Sequence, residues 1–155
     1  MSRRLAAFAL LLFVVTGSAW WGIHPPRTLD SFRARSVLTA RSLHSQVAST
    51  VLWLHAVEDN EVLRTTALVA VEEAETDATT QTTTYAAWQP PDANSRHIRS
   101  QVATLADEVV NTLGRARVAA RDGRWAAAVA MSAELTELDH RLANLQTELQ
   151  NGARV

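Results

Sequence analysis

The 155-residue chain contains no cysteine and no lysine, and it has little glycine, proline or aromatic character. The absence of cysteine excludes disulfide bonds, thiolate zinc and iron–sulfur sites, covalently attached haem and a thiol nucleophile. With 5 glycines, 4 prolines and 6% aromatic residues, a β-sandwich or β-barrel is disfavoured. The 15 basic residues, all arginine, are balanced by 16 acidic ones. A chain without a basic face is not expected to bind nucleic acid.

A long apolar run covers residues 5–23 and follows a short positive head. As a helix it would extend about 28 Å, close to the hydrocarbon thickness of a bilayer. Trp20 and Trp21 would lie at the far interface, where indoles are favoured. Pro25 and Pro26 would end the helix. The pattern predicts a single-pass signal anchor in the cell membrane, with the bulk of the chain extracytoplasmic.

The alternative interpretation of this run is a signal peptide that is cleaved after Ala19. Gly17 and Ala19 supply the small residues that a signal peptidase site needs at its −3 and −1 positions. The protein would then be secreted. In both interpretations residues 1–27 are a targeting segment with a Pro-Pro linker, and residues 28–155 are an exported helical domain.

From residue 29 onward, apolar residues recur at spacings of three and four, which is typical of amphipathic helices. Breaks are expected at Asp59-Asn60, at Pro90-Pro91 before an Asp92 or Ser95 N-cap, and at Gly123. They divide the chain into segments of about 30–58, 61–88, 93–121 and 124–151. Nearly equal lengths and short loops predict an all-α, up-down-up-down four-helix bundle. The alternatives are one long helix over residues 30–88 plus a helical hairpin, and a self-associating coiled coil.

The expected core stripes differ in apolar content. The first, third and fourth helices carry valine and leucine, whereas the second carries mostly alanine, with Asp77 and Gln81 at core-facing positions. The predicted stripes are Ala40, Leu43, Val47, Thr50, Leu54 and Val57; Leu63, Ala67, Ala70, Ala74, Asp77, Gln81, Tyr85 and Trp88; Ile98, Val102, Leu105, Val109, Leu113, Ala116 and Ala120; and Trp125, Val129, Ser132, Leu135, Leu138, Leu142, Leu145 and Leu149.

Candidate catalytic and metal-binding residues are sparse. Glu137 and His140 have the E-x-x-H spacing of di-iron bundle proteins, but those sites need two copies plus two further glutamates. His44 and His55 would lie about 16 Å apart along a helix, too far to share a metal ion. The adjacent Asp107-Glu108 pair would point about 100° apart. Motifs for nucleophilic catalysis and phosphate binding are also absent from the sequence. We therefore predict no catalytic residue, no metal site and no cofactor.

Two groups of residues form a candidate partner surface. Tryptophan beside arginine is typical of interface hot spots, and a locally acidic stretch could dock a basic partner. The alternative is that the indoles cap the core and the acidic side chains are solvated. The first group is Trp53, Arg121, Arg124 and Trp125, and the second is Glu72, Glu73 and Glu75.

Three short segments carry a resemblance to small exported or single-anchor helical proteins of high-GC actinobacteria, which are uncharacterised. They are Leu43-His44-Ser45-Gln46-Val47, residues 85–92 with Pro90-Pro91-Asp92, and residues 116–123 with Arg121-Asp122-Gly123. The resemblance spans most of residues 40–145. It implies export and a helical layout, and it implies no activity and no site.

The function expected from these observations is that of a non-enzymatic, membrane-anchored bundle. It would act outside the cytoplasm through contacts with an envelope protein or other envelope component, and homo-oligomers are one form of such contact. The alternative is a secreted four-helix module that binds a small ligand, a lipid or a metal between its helices. Alanines at a core stripe, which allow either close packing or a cavity, favour that alternative.

Overall fold

A computed structural model describes residues 28–152, and the predicted anchor and cleavage site lie outside this range. The described chain is helical and contains no strand. Its helices are α1 (Leu29–Glu58), α2 (Arg64–Ala86), α3 (Ala93–Arg121), α4 (Trp125–Ala130) and α5 (Ser132–Asn151). Only Met131 separates α4 from α5, and its φ of −77° and ψ of −9° remain helical, so α4 and α5 are two parts of one fourth helix.

The helices pack as a four-helix bundle, which confirms the predicted helical bundle. Each helix contacts the next one in the chain, α5 returns to pack along α1, and α1 also contacts α3 across the centre. In the described chain α2 and α5 make no contact, so they occupy opposite corners. Arg33 lies beside Gly152. We call the end of the bundle that holds Arg33 and Gly152 the near end. The opposite end, which holds the α1–α2 and α3–α4 loops, is the far end.

Local sequence explains where the helices begin and end. The Thr28 hydroxyl accepts a hydrogen bond from Ser31 N at 3.2 Å in a capping box. Asp92 caps α3 by accepting from Ser95 N at 2.7 Å. This bond lowers the pKa of Asp92, because it stabilises the carboxylate. Asn60, with a positive φ of 58°, follows the end of α1, so the predicted break at Asp59-Asn60 replaces the alternative long helix.

Gly123 supplies the left-handed residue of the α3–α4 turn, with φ of +75°. Gly123→Ala should lower the free energy of unfolding by about 1 kcal/mol, because a Cβ atom disfavours this conformation. Gly123→Asn is the matched control and should cost less, since asparagine tolerates the left-handed region. Chemical denaturation of the three proteins measures the difference. An equal loss for both variants would show that the conformation at residue 123 is not the cause.

The core follows the predicted stripes on three of the four helices. All predicted core residues of the first and third stripes are buried, and so are the five leucines of α5. Phe32 and Ser36 extend the buried face of α1 toward the near end. In the fourth helix Ala128 is buried, whereas Val129 and Ser132 are only half-buried.

The predicted core face of the second helix is partly wrong. Leu63 is 74% exposed at the start of α2, and Asp77 is exposed, where it accepts a hydrogen bond from Gln46 Nε2 at 3.2 Å. Val71 and Ala78 lie in the core, together with Ala67, Ala74 and Tyr85. Because small or apolar residues occur on several faces of α2, their spacing does not single out one face. Asp77 therefore gives no support to a polar cavity between the helices.

An aromatic cluster closes the near end of the core. Tyr85 is 2% exposed and lies between Phe32 and Trp88, with ring centroids 5.9 and 5.4 Å away. The Arg35 guanidinium lies 5.0 Å from the centre of the Trp88 ring, in a cation–π contact. Ser36 Oγ donates to the Phe32 carbonyl at 2.9 Å, and a second hydrogen bond of 2.9 Å joins Ser36 Oγ and the Tyr85 hydroxyl.

Candidate protein-contact surface

The acidic residues of α2 divide into two sets that face different helices. On the α3 side, Glu75 forms an ion pair with Arg117, and Glu72 lies 3.8 Å from Arg121. The hydrogen bond from Arg117 to Glu75 also raises the pKa of Arg117. Glu72, Glu75 and Arg121, three of the predicted surface residues, therefore take part in packing α2 against α3. Glu75 is neutralised by Arg117 within the bundle, whereas Glu72 and Arg121 stay partly exposed to solvent.

Glu73 faces the other side of α2. Its side chain is exposed and forms no ion pair within residues 28–152. A groove of about 430 Å³ beside it is lined by Trp53, Thr65, Thr66, Val69, Ala70 and Glu73. Trp53 is partly buried against the core, so one part of the indole holds α1 in place while another part lines the groove.

The other predicted residues lie elsewhere at the far end. Trp125 is only 9% exposed and belongs to the core, as expected for an indole that caps it. Arg124 pairs with Asp122 at 2.9 Å and lines a groove of about 490 Å³ on the outer side of α3, beside Gly114. The structure thus brings Trp53 and Glu73 to one groove and places the remaining candidates in the core or in ion pairs.

Val69 is the large apolar residue of this groove that the sequence did not single out. It is 53% exposed, although it stands among the apolar residues Leu68, Ala70 and Val71. Four consecutive small or apolar residues cover every face of a helical turn, so spacing alone could not assign Val69 to the outside. The sequence shows that no basic residue lies between Arg64 and Arg96, but Glu72 and Glu75 of this interval pair with arginines of α3, so the unpaired state of Glu73 depends on how the helices pack.

The histidines and carboxylates considered for chemistry occupy separate places. Glu137 and His140 are exposed on α5. The neighbouring Asp139 instead faces His44, with its Oδ1 2.6 Å from His44 Nδ1, a pairing of α1 with α5 that the sequence did not indicate. The two atoms are shielded from water and close enough for a hydrogen bond, but they are not aligned for one. Among residues 28–152, no three histidine, aspartate or glutamate side chains meet to hold a metal ion.

The Asp107-Glu108 pair also separates in the structure. Glu108 forms an ion pair with Arg141 of α5, and Asp107 is exposed. The hydrogen bond from Arg141 lowers the pKa of Glu108 below its ordinary value. Glu108 is therefore an ionised partner in a helix–helix contact and is poorly suited to donate a proton near neutral pH.

No protein family, curated protein or solved structure matches this chain. The resemblance to actinobacterial helical proteins stays a prediction. None of the helices in residues 28–152 is both long enough and apolar enough to cross a membrane.

Proposed function

We propose that this protein is a non-enzymatic helical bundle, tethered to the membrane by residues 5–23, that acts outside the cytoplasm through contacts with another envelope protein. The groove beside Trp53, Val69 and Glu73 carries this proposal. It combines exposed apolar surface with an unpaired carboxylate on two helices that pack against each other. Partly exposed tryptophan and valine in a concave surface are typical of a protein contact.

The position of the groove fits a tethered protein. Trp53 lies 24 residues along α1 from Leu29, which corresponds to about 36 Å along the helix axis. If residues 5–23 span the bilayer, α1 begins close to the membrane and carries the groove toward the far end of the bundle. A partner could then approach it without entering the lipid headgroups.

Photo-cross-linking in living cells tests contact at the groove. A photoreactive phenylalanine analogue in place of Val69 should form an adduct of one defined mass. The same analogue in place of Leu38 is the matched control, because Leu38 is 61% exposed on the outer side of α1 and lies outside the groove. We expect no such adduct from position 38. Equal labelling from both positions, or none from position 69, would contradict the proposed function.

A separate experiment tests the membrane anchor: it determines the N-terminal residue of the mature protein and the cell fraction that contains the protein. An intact Met1 in the membrane fraction is the expected result. A mature chain that begins at Trp20 in the medium would replace the anchor with the secreted alternative.

The alternative function, a secreted module that binds a small ligand, has one supporting observation. The groove beside Gly114 has a volume of about 490 Å³, within the range of small-molecule sites. However, the charged residues Glu75, Arg117 and Arg124 that line it are already engaged in ion pairs. Native mass spectrometry of the purified protein distinguishes the two functions, since a stoichiometric bound ligand would favour this alternative.

A further inference from the structure

The groove beside Trp53 belongs to a longer depression on the outer flank of α2. A second groove of about 400 Å³ is lined by Val69, Glu72, Glu73, Thr76 and Asp77. Val69 and Glu73 line both grooves, so the two are continuous. We call this combined depression the α1–α2 furrow. From Thr65 to Asp77 it follows α2 for about 18 Å, the length of three helical turns.

The furrow is apolar at one end and acidic at the other. Trp53, Val69 and Ala70 line the end near the α1–α2 loop, and Glu73 and Asp77 line the other. Val69, one of the five large hydrophobic residues that are exposed within residues 28–152, lines both grooves. An apolar wall beside a row of carboxylates is complementary to a segment that has an apolar side and a basic side.

Within residues 28–152, no arginine forms an ion pair with Glu73 or Asp77 at the acidic end. Glu73 has no ion pair, and Asp77 receives only the neutral amide of Gln46, at 3.2 Å. Of the arginines of α3, Arg117 pairs with Glu75 and Arg121 lies 3.8 Å from Glu72 at the edge of the furrow. The end of α1 and the α1–α2 loop add Glu58, Asp59 and Glu61, which form no ion pair in the described chain, and Arg64 at the start of α2 offsets part of their charge. The negative potential on this flank of the bundle is therefore left for a partner to neutralise.

We propose that the α1–α2 furrow binds a basic amphipathic helix of another protein, with an apolar side chain against Trp53 and Val69 and with lysine or arginine at Glu73 and Asp77. The length of the furrow matches three turns of a helix, whose apolar residues repeat at spacings of three and four. The proposal rests on the proposed function, since it names the kind of partner that the groove would receive.

The test uses the full-length protein and a synthetic helical peptide of about 14 residues, with leucine on one face and lysine on the other. We expect saturable binding that shifts the NMR resonance of the Trp53 indole N–H, assigned with a Trp53→Phe variant, and leaves that of Trp88 unchanged. A peptide with the same leucines but glutamate in place of lysine should not bind. Raising the salt concentration should weaken binding, because the carboxylates are exposed and screened.

Substitutions at Glu73 and Asp77 test whether peptide binding depends on the charge of the furrow, because they remove the charge and change the shape little. Glu73→Gln together with Asp77→Asn should weaken binding of the lysine peptide about tenfold, and lysine at both positions should abolish it. Asp107→Asn, which removes an exposed carboxylate from α3, is the matched control and should leave the affinity unchanged. All of these positions are exposed, so circular dichroism should report unaltered helix content. Equal affinity for the glutamate peptide, or for the Glu73→Gln, Asp77→Asn protein, would overturn the proposal.

The peptide-binding and cross-linking experiments distinguish a failure of the basic-helix proposal from a failure of the proposed function. A specific adduct from position 69 in cells without peptide binding would contradict the basic helix and leave the proposed function standing. Peptide binding without an adduct at position 69 would support the chemistry of the furrow and contradict its use as a partner surface in the cell.

Discussion

Leu54→Ala should lower the free energy of unfolding by about 2–5 kcal/mol, whereas Leu52→Ala should change it by less than about 0.5 kcal/mol. The two leucines are two residues apart on α1, so their side chains point about 200° apart around the helix axis. Leu54 is fully buried in the core, and Leu52 is 71% exposed. The same substitution on the same helix therefore compares a cavity in the core with the loss of a few surface contacts.

Urea denaturation of the full-length protein, followed by circular dichroism, measures both changes. Since small domains are stable by only about 5–15 kcal/mol, the loss in Leu54→Ala should be visible as a large shift of the transition midpoint. Comparable losses in the two variants would mean that both leucines are buried, for example in an oligomer that covers the outer face of α1. A larger loss of stability for Leu52→Ala than for Leu54→Ala would mean that Leu52 rather than Leu54 faces the core, which would contradict the orientation of α1 in the bundle.

The helices that could be predicted are those whose apolar and polar faces contrast strongly. In α3 and α5, leucine, isoleucine and valine recur on the buried face while arginine, asparagine and acidic residues are exposed, so the core positions follow from spacing. In α1 the spacing also gave the core face, although Leu38 and Leu52 lie on the exposed side. The helix ends were equally clear at Asp92 and Gly123, because an N-cap side chain and a left-handed glycine each satisfy a specific backbone requirement.

The second helix could not be oriented in the same way. Alanine and threonine fit a buried or an exposed position at similar cost, so Asp77 was predicted to face the core although Ala78 and Val71 do so. The interruption of the fourth helix at Met131 has no glycine or proline to mark it. These features depend on how the helices pack against each other, which the sequence of a single helix does not contain.

The candidate surface was predictable in composition and not in arrangement. Trp53 and Glu73 were named from their residue types, and the structure places them in one groove. The ion pairs of Glu75 with Arg117 and of Glu72 with Arg121 could not be foreseen, because they depend on the register between α2 and α3. That register decides which carboxylates are neutralised and which are left for a partner.

Between pH 10 and pH 12 the protein should lose up to about 2.7 kcal/mol of stability through one side chain, Tyr85. Burial raises the pKa of Tyr85 to about 12, even though the hydrogen bond with Ser36 and the charge of Arg99 act to lower it. The ordinary pKa of a tyrosine, which we expect in the unfolded chain, is about 10. The folded state therefore holds its proton over a pH range in which the unfolded state has lost it. The stabilisation is complete below pH 10 and disappears as the pH rises through 12.

The composition of the chain allows the titration of Tyr85 to be measured without interference from other side chains. Tyr85 is the only tyrosine, and there is no lysine or cysteine, so no other side chain has an ordinary pKa between 9 and 12. Phenolate absorbance near 295 nm therefore reports Tyr85 alone, and its midpoint should lie near pH 12 in the native protein and near pH 10 in urea. Tyr85→Phe is the control, and its stability should stay flat across this range. A native midpoint at pH 10 would show that the phenol is open to solvent, and the aromatic closure of the near end between Phe32 and Trp88 would have to be abandoned.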